Sequence, residues 1–352
     1  MLINSNYNIN KEEFMMSVKV AINGFGAIGR KALRGGIKNP DIDFVAINDL
    51  VEPKILAYLL KYDSNHGTFD GEIDHTDDSI IIDGKEIKIY NKKDPAELPW
   101  GELGIEVVYE ATGLFTDGED AKKHIEAGAK KVIISAPATN VDKSFVMGVN
   151  DDQYDPENHN IISNASCTTN CLSPIAKILN DEFGIEKGLM TTIHSYTSSQ
   201  NLLDGPYKWK KITRGRAAGE NIVPTTTGAA VATTKVLPEL KGKLDGMAVR
   251  TQTPTGSLVD LVVTLEQDVT EEEIHAVMKK YAEGDMKGIL EYNEDPIVSR
   301  DIIGNPHSSI YDKNHTKVIQ GNMVKLLSWY DNEWGYAQRL NDFAVKMKEL
   351  GI

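Results

Sequence analysis

The sequence predicts an α/β chain in two parts: a doubly wound parallel sheet, then an α+β part with a mostly antiparallel sheet. Three observations predict it. Short apolar runs alternate with helical stretches from residue 18 to about residue 150, the pattern of parallel strands covered by helices. Beyond residue 190, strand-like stretches mix with helices and no longer alternate with them regularly, as antiparallel pairing allows. The 352 residues also exceed what one ordinary core encloses, so two bodies are expected.

Val18-Lys19-Val20-Ala21-Ile22 is mostly apolar, as a strand buried on both faces would be. A glycine-rich turn follows, then a helical stretch to about Ile37, then a second strand over 43–47. Pro53 opens a helix carrying Ile55, Leu56, Leu59 and Leu60 at helical spacing. Residues 80–82 and 87–89 flank Asp83-Gly84 and read as a hairpin, because that dipeptide suits a type I′ turn. Residues 107–109 and 132–134 are further strands, with a helix predicted over 120–127 between them. In the second part, 190–194 is a strand. A long, polar, basic segment over 195–227 has little periodicity; such segments are usually functional or buried against a partner. A helix over 229–237, strands over 247–251 and 257–265, and a helix over 271–282 follow. The stretch 333–350, with Phe343, Val345, Met347 and Leu350, reads as a last helix.

Composition narrows the function classes. Apolar residues are 41% and charged residues 26%, as in a soluble globular enzyme. No apolar run is long enough for a spanning helix. The net charge of −14 argues against nucleic acid or an anionic membrane as partner, although a local basic pocket can still hold an anionic substrate. The two cysteines, Cys167 and Cys171, stand too close for a disulfide framework. No second ligand pair accompanies them, so no metal is expected and a reducing cytoplasm suits them. Residues 1–15 are polar and lack the pattern of a secretory or mitochondrial leader. They are expected to form a flexible tail, or to precede a true start at Met16.

Gly24-Phe25-Gly26-Ala27-Ile28-Gly29 fits G-x-G-x-x-G between a strand and a helix. Glycines there permit a tight turn and let backbone N–H groups approach a pyrophosphate at the positive helix end. Asp49 ends the next strand, where a carboxylate meets the adenosine ribose hydroxyls. Such a carboxylate would repel a 2′-phosphate, so this Rossmann-type turn favours NAD over NADP. A plain glycine turn with Asp49 as a helix cap is the competing reading.

Ser166-Cys167-Thr168-Thr169-Asn170-Cys171 sits at a strand-to-helix junction, with Ser166 a suitable N-cap. Cys167 then lies in the first helical turn, where free N–H groups and the helix dipole stabilise a thiolate. Pro174 falls inside this helix, where a kink is expected. Cys171, one turn deeper, reads as a core thiol. His194, closing the strand 190–194, is the candidate partner that would pair with the thiolate and accept a proton.

These residues resemble those of the glyceraldehyde-3-phosphate dehydrogenase family. The resemblance is carried by Gly24 to Arg30 with Asn48-Asp49, by Ala165-Ser166-Cys167-Thr168-Thr169-Asn170, and by Thr191-Thr192-Ile193-His194-Ser195-Tyr196-Thr197. Pro224-Thr225-Thr226-Thr227-Gly228-Ala229-Ala230 and Trp329-Tyr330-Asp331-Asn332-Glu333-Trp334-Gly335-Tyr336 complete it. It implies that Cys167 attacks an aldehyde, with His194 as base. It implies that Thr197 and Arg250 hold the substrate's phosphate, and that Ser166, Thr168, Thr227 and Gly228 hold inorganic phosphate. Arg214 or Arg216 supplies a further guanidinium, Arg214 being preferred. The cofactor contacts implied are Gly24, Phe25, Gly26, Ala27, Ile28, Gly29, Asp49, Thr112 and Ser135, with Asn332 holding the nicotinamide amide and Tyr336 beside it.

The family's architecture implies an NAD-binding Rossmann domain of 16–165 plus 332–352, and a catalytic domain of 166–331. Within the latter, residues 195–227 would form an S-shaped loop that packs against a neighbour's cofactor in a homotetramer. The implied reaction is NAD-dependent oxidation of glyceraldehyde 3-phosphate, with inorganic phosphate, to 1,3-bisphosphoglycerate through a cysteine thioester. Three departures stand out: Ala27 where the family usually has Arg, Arg250-Thr251-Gln252-Thr253-Pro254 for the usual Arg-Val-Pro-Thr, and Gly205-Pro206 for Leu-Pro. Two competitors remain: a related dehydrogenase acting on erythrose 4-phosphate, and a catalytically idle nucleotide-binding or redox-sensing protein.

Overall fold

The computed structural model describes residues 17–352. The expected tail over 1–15 and the alternative start at Met16 lie outside the described residues.

The first sheet has nine strands: β1 (Val18–Asn23), β2 (Ile42–Asn48), β3 (Ile73–His75), β4 (Ser79–Ile82), β5 (Lys85–Tyr90), β6 (Val107–Glu110), β7 (Lys131–Ile134), β8 (Lys143–Ser144) and β9 (Ile161–Ser163). Their spatial order is β8-β9-β7-β6-β1-β2-β5-β4-β3. Pairing is parallel from β8 to β5, while β4 and β3 join antiparallel. The β4–β5 turn has positive φ at both Asp83 (48°) and Gly84 (83°), the type I′ geometry. Helix α1 (Ala27–Gly36) follows β1, and α2 (Pro53–Lys61) follows β2 with proline in its first turn. The helix predicted over 120–127 is instead two single turns, Gly118–Ala121 and Lys123–Glu126. The chain extends the sheet from β1 to β2 on one side and later places β6 on the other. The gap outside the ends of β1 and β6 is therefore a topological switch point, where open α/β sheets hold ligands.

The second sheet has seven strands: β10 (Ile185–Ser195), β11 (Val223–Thr226), β12 (Leu244–Thr251), β13 (Ser257–Leu265), β14 (Leu290–Asn293), β15 (Ser309–Ile319) and β16 (Met323–Tyr330). Their order is β11-β12-β10-β13-β16-β15-β14. Only the β10–β12 and β14–β15 pairs are parallel; the other neighbours are antiparallel. β13 alternates buried and half-buried residues along its length, as a strand with one face on the core does. The long helix α3 (Cys167–Phe183) covers that face through Cys171, Leu172, Ile175, Ile178 and Leu179 against Val259, Leu261, Val263 and Leu326. It is assigned continuously through Pro174. Helices α4 (Ala229–Val236) and α5 (Glu271–Glu283) flank it.

The last helix, α6 (Trp334–Glu349), leaves the second sheet and packs on the first. Leu340, Phe343, Ala344 and Met347 share a core with Val20, Ile22, Leu33 and Phe44. Asn341 fixes its rotation: its Nδ2 donates to Ala32 O (2.9 Å) and its Oδ1 accepts from Tyr109 Oη (3.2 Å). The segment just before α6 therefore crosses between the two sheets.

Candidate active site

Two glycines of the turn after β1, Gly24 and Gly29, have steric reasons of their own. Gly24 has φ +92°, and a Cβ there would sit 2.6 Å from Thr112 N. A Cβ on Gly29 would meet Gly24 O at 2.4 Å. At Gly26, by contrast, a Cβ would meet nothing within 4 Å, and no side chain caps α1. The turn thus offers open space and free N–H groups at a helix start, which fits the pyrophosphate of a dinucleotide. Phe25 is buried, while Ala27 and Ile28 are half-buried. Asp49 does not cap a helix; its Oδ2 accepts Phe25 N (2.8 Å) and its Oδ1 accepts Val51 N (3.0 Å). Each carboxylate oxygen keeps acceptor capacity for a ribose hydroxyl. Thr112 and Ser135 follow β6 and β7 at the same sheet edge.

Cys167 is the first residue of α3 and is half-buried. Ser166 caps the helix by accepting Thr169 N (3.1 Å). The preceding Ala165 is buried at φ +54°, a left-handed conformation that costs a non-glycine residue energy. Its neighbours hold it there: Ser163 Oγ accepts Ala165 N (3.0 Å), Tyr336 Oη donates to Ala165 O (3.1 Å), and Asn170 Nδ2 donates to Asn164 O (2.9 Å). That bend aims Cys167 Sγ at His194 Nε2, 3.4 Å away.

His194 lies near the end of β10 and is 4% exposed. Its Nδ1 lies 2.7 Å from Ser195 O, and a proton on Nδ1 would leave Nε2 to accept from the thiol. Arg250 Nη1 donates to the same carbonyl (2.7 Å) and lies 3.0 Å from His194 Nδ1. Burial, with Arg250 adding to it, pushes the imidazole down to about 3. Burial pushes the Cys167 thiol up, opposed by Arg250 and by N–H groups at the helix start. Both directions work against the thiolate–imidazolium pair that the sequence suggests. Beneath both, Tyr330 Oη bridges Thr168 Oγ1 (2.9 Å) and Thr192 Oγ1 (2.8 Å), and its ring stands edge-on to His194.

Around this centre lie cationic and hydroxyl groups. Arg214 reaches Thr225 Oγ1 (3.1 Å), Ser199 Oγ (3.4 Å) and Thr226 O (3.3 Å), and Ser199 Oγ in turn meets Thr197 Oγ1 (2.9 Å). The Arg214 charge acts on both Arg250 and His194. Arg216 points elsewhere and pairs with Asp204 at the exposed surface. Neither Arg250 nor Arg214 pairs with a carboxylate among the described residues, so two guanidinium groups are left to face an anion. Thr227 Oγ1 accepts Ala229 N (3.2 Å), and Gly228 is the N-cap of α4.

Asn332 lies in the crossover before α6. Its Oδ1 accepts Ser257 Oγ (2.7 Å) and Gly256 N (3.2 Å), which leaves its amide as a donor. The residue before it, Asp331, accepts Glu333 N (2.9 Å), Trp334 N (2.8 Å) and His66 Nε2 (2.8 Å). His66 Nδ1 meets Asp63 Oδ1 (3.3 Å), and Lys31 bonds Asp63 and Glu333. Tyr330, His66 and Asp331 were not among the expected site residues. Tyr330 and Asp331 stand inside the segment 329–336 singled out in the sequence, but nothing near His66 signals a partner 265 positions away.

The chain matches two family models. Residues 18–118 match "Glyceraldehyde 3-phosphate dehydrogenase, NAD binding domain", and residues 166–332 match the C-terminal domain of the same family. It is 57% identical over 337 residues to a glyceraldehyde-3-phosphate dehydrogenase of Geobacillus stearothermophilus, covering 96% of this chain and 100% of that protein. Glyceraldehyde-3-phosphate dehydrogenase 1 of Bacillus subtilis is 56% identical over the same shares. The Mycolicibacterium smegmatis enzyme is 57% identical over 94% of this chain and 98% of its own.

Proposed function

Because this chain belongs to the glyceraldehyde-3-phosphate dehydrogenase family, we propose that it oxidises glyceraldehyde 3-phosphate with NAD and inorganic phosphate to 1,3-bisphosphoglycerate. The observation that carries the reading is Cys167 Sγ at a helix start, 3.4 Å from Nε2 of His194. Residues 16–165 with 332–352 would hold the cofactor, and 166–331 the substrate.

As sulfur adds to the aldehyde carbon, His194 Nε2 takes the thiol proton. The imidazolium so formed donates to the new alkoxide, beside the N–H groups of the first turn of α3. NAD, when bound, supplies the two-electron acceptor that turns the hemithioacetal into a thioester. His194 receives the hydroxyl proton in that step. Inorganic phosphate then attacks the thioester carbonyl and loses its proton to solvent, sulfur leaves and regains its proton from His194, and an acyl phosphate is released. Arg250, Arg214 and Thr197 would bind the substrate's phosphate, and Ser166, Thr168, Thr227 and Gly228 the attacking one. A phosphate beside Arg250 offsets the charge that depresses His194, so the base strengthens when substrate arrives. Gly24 to Gly29, Asp49, Thr112 and Ser135 would hold the adenosine diphosphate half, and Asn332 with Tyr336 the nicotinamide.

The assembly we propose is a homotetramer. The sheet face opposite α3 exposes Leu189, Met247 and Met323, and the segment 195–227 exposes Leu202, Leu203 and Trp209; a second copy would cover such surface. A free thiol suits a reducing cytoplasm. NADH formation assayed with and without inorganic phosphate tests the reaction, with erythrose 4-phosphate as the competing substrate. Phosphate-independent turnover, or faster oxidation of erythrose 4-phosphate, would overturn it.

A further inference from the structure

Beneath the cofactor turn, outside the groups assigned above, a chain of buried polar side chains ties three strand ends together. Glu110 closes β6 and is 1% exposed. Its Oε1 accepts the Thr112 amide (2.9 Å) and the Thr112 hydroxyl. Its Oε2 accepts Asn23 Nδ2 (2.5 Å) and His124 Nε2 (3.1 Å). The His124 proton is fixed by geometry. Trp100 Nε1 can only donate, and it donates to His124 Nδ1 (3.0 Å), so the ring carries its proton on Nε2. Asn23 closes β1, and its Oδ1 accepts Asn48 Nδ2 (2.7 Å) from the end of β2. Asn48 in turn accepts Lys92 N (2.8 Å).

With four donors on two oxygens, the Glu110 group acts only as an acceptor, which is the behaviour of a carboxylate. Burying one is costly unless every lone pair is used. An apolar residue would spare that cost, so the position calls for another explanation. The three joined strand ends are the ones that carry the Gly24 turn, Asp49 and Thr112. Thr112 N lies where a Gly24 Cβ would clash, so the residues after β6 form one wall of the turn.

We propose that Glu110 is a positioning residue for the cofactor: acting through Thr112 and Asn23, it sets the gap between that wall and the Gly24–Gly29 turn, and so the affinity for NAD. This rests on the reading that the turn holds the dinucleotide. His124 and Trp100 complete the device, because the indole fixes which imidazole nitrogen donates.

Glu110→Gln tests it. The new amide nitrogen must face either Thr112 or the Asn23 and His124 donors, so donor meets donor. The NAD dissociation constant is expected to rise roughly tenfold, with KM for NAD rising and kcat at saturating NAD unchanged. Adding Trp100→Phe supplies a readout that a merely structural role would not move. Without the indole, the imidazole proton can shift to Nδ1, and Nε2 can accept the new amide. The double variant should therefore bind NAD more tightly than Glu110→Gln alone, and 15N shifts of His124 should report the tautomer change. Asp49→Asn separates the two readings. If it weakens NAD while Glu110→Gln does not, or if the double variant is worse than the single, the positioning role is overturned. If neither Asp49→Asn nor Glu110→Gln changes NAD binding, the reading of the turn falls and takes this role with it.

Discussion

At the turn proposed to hold the cofactor the backbone itself would be the binding group, whereas around Cys167 side chains from separate elements have to converge. The turn is contiguous, from Gly24 to Gly29, and its glycines serve by lacking a Cβ. The proposed catalytic centre draws Cys167 and Thr168 from α3, His194 from β10, Arg250 from β12 and Tyr330 from β16. The turn is accessible and sterically exacting. The centre is buried and electrostatically exacting, with a depressed imidazole between a thiol and a guanidinium. Perturbing the first should therefore change cofactor affinity, and perturbing the second should change the chemical step.

The largest effect expected tests the second half of that contrast. Cys167→Ala removes the sulfur proposed to bond the substrate, and kcat for NADH formation should fall by at least ~10⁴-fold. Equilibrium NAD binding should stay close to normal; a variant that keeps its turnover would end the assignment. His194→Asn comes next, with kcat down ~10²–10⁴-fold. Iodoacetamide should also alkylate Cys167 more slowly in that variant at neutral pH, because the thiol has lost its proton acceptor. Unchanged alkylation would mean that the pair is not coupled.

The same contrast explains what was legible in the sequence. The strand before Gly24, the glycine spacing and Asp49 are local, so the turn could be read from about thirty residues. Ser166 as cap and Cys167 in the first helical turn were also local. Partnership between Cys167 and His194 could be proposed but not read, because β10 reaches α3 only through tertiary packing. Tyr330 and the His66–Asp331 contact were out of reach for the same reason. The strands β14 to β16 went unassigned although β16 alternates clearly between buried and exposed residues. β15 breaks its register between Asp312 and Lys317 and carries Asn and His there, which hides its period. The single helix expected over 120–127 is divided at Lys122, the one residue between the two turns, although its φ of −56° and ψ of −25° are themselves helical.

The seam between the two regions can be probed by pH. Burial alone would lower His66, but its hydrogen bonds to Asp331 and Asp63 outweigh that and raise it to about 9. A raised histidine stabilises the fold fully below its unfolded value near 6.5. That contribution disappears as pH climbs through 9, and it is worth at most about 3 kcal/mol. Denaturant midpoints compared at pH 6 and pH 10 should fall more in the parent chain than in His66→Gln. Equal falls would show that His66 is not charged in the seam.

The smallest effect is the most specific to the turn, because two of its glycines should fail differently. At Gly24 an alanine must adopt φ +92° and place its Cβ against Thr112 N. About 1–3 kcal/mol of strain follows, lowering both the thermal midpoint and NAD affinity. Gly26 has φ −71° and ψ −157°, a conformation any residue tolerates, and a Cβ there meets nothing in the protein. Gly26→Ala should leave the thermal midpoint unchanged without NAD and weaken only NAD binding, because the methyl group occupies space meant for the pyrophosphate. Equal loss of stability in both variants would mean that the open space at Gly26 is a gap in the turn and that the cofactor lies elsewhere. Loss of affinity alone at Gly26 would show a surface shaped for something the protein does not itself contain.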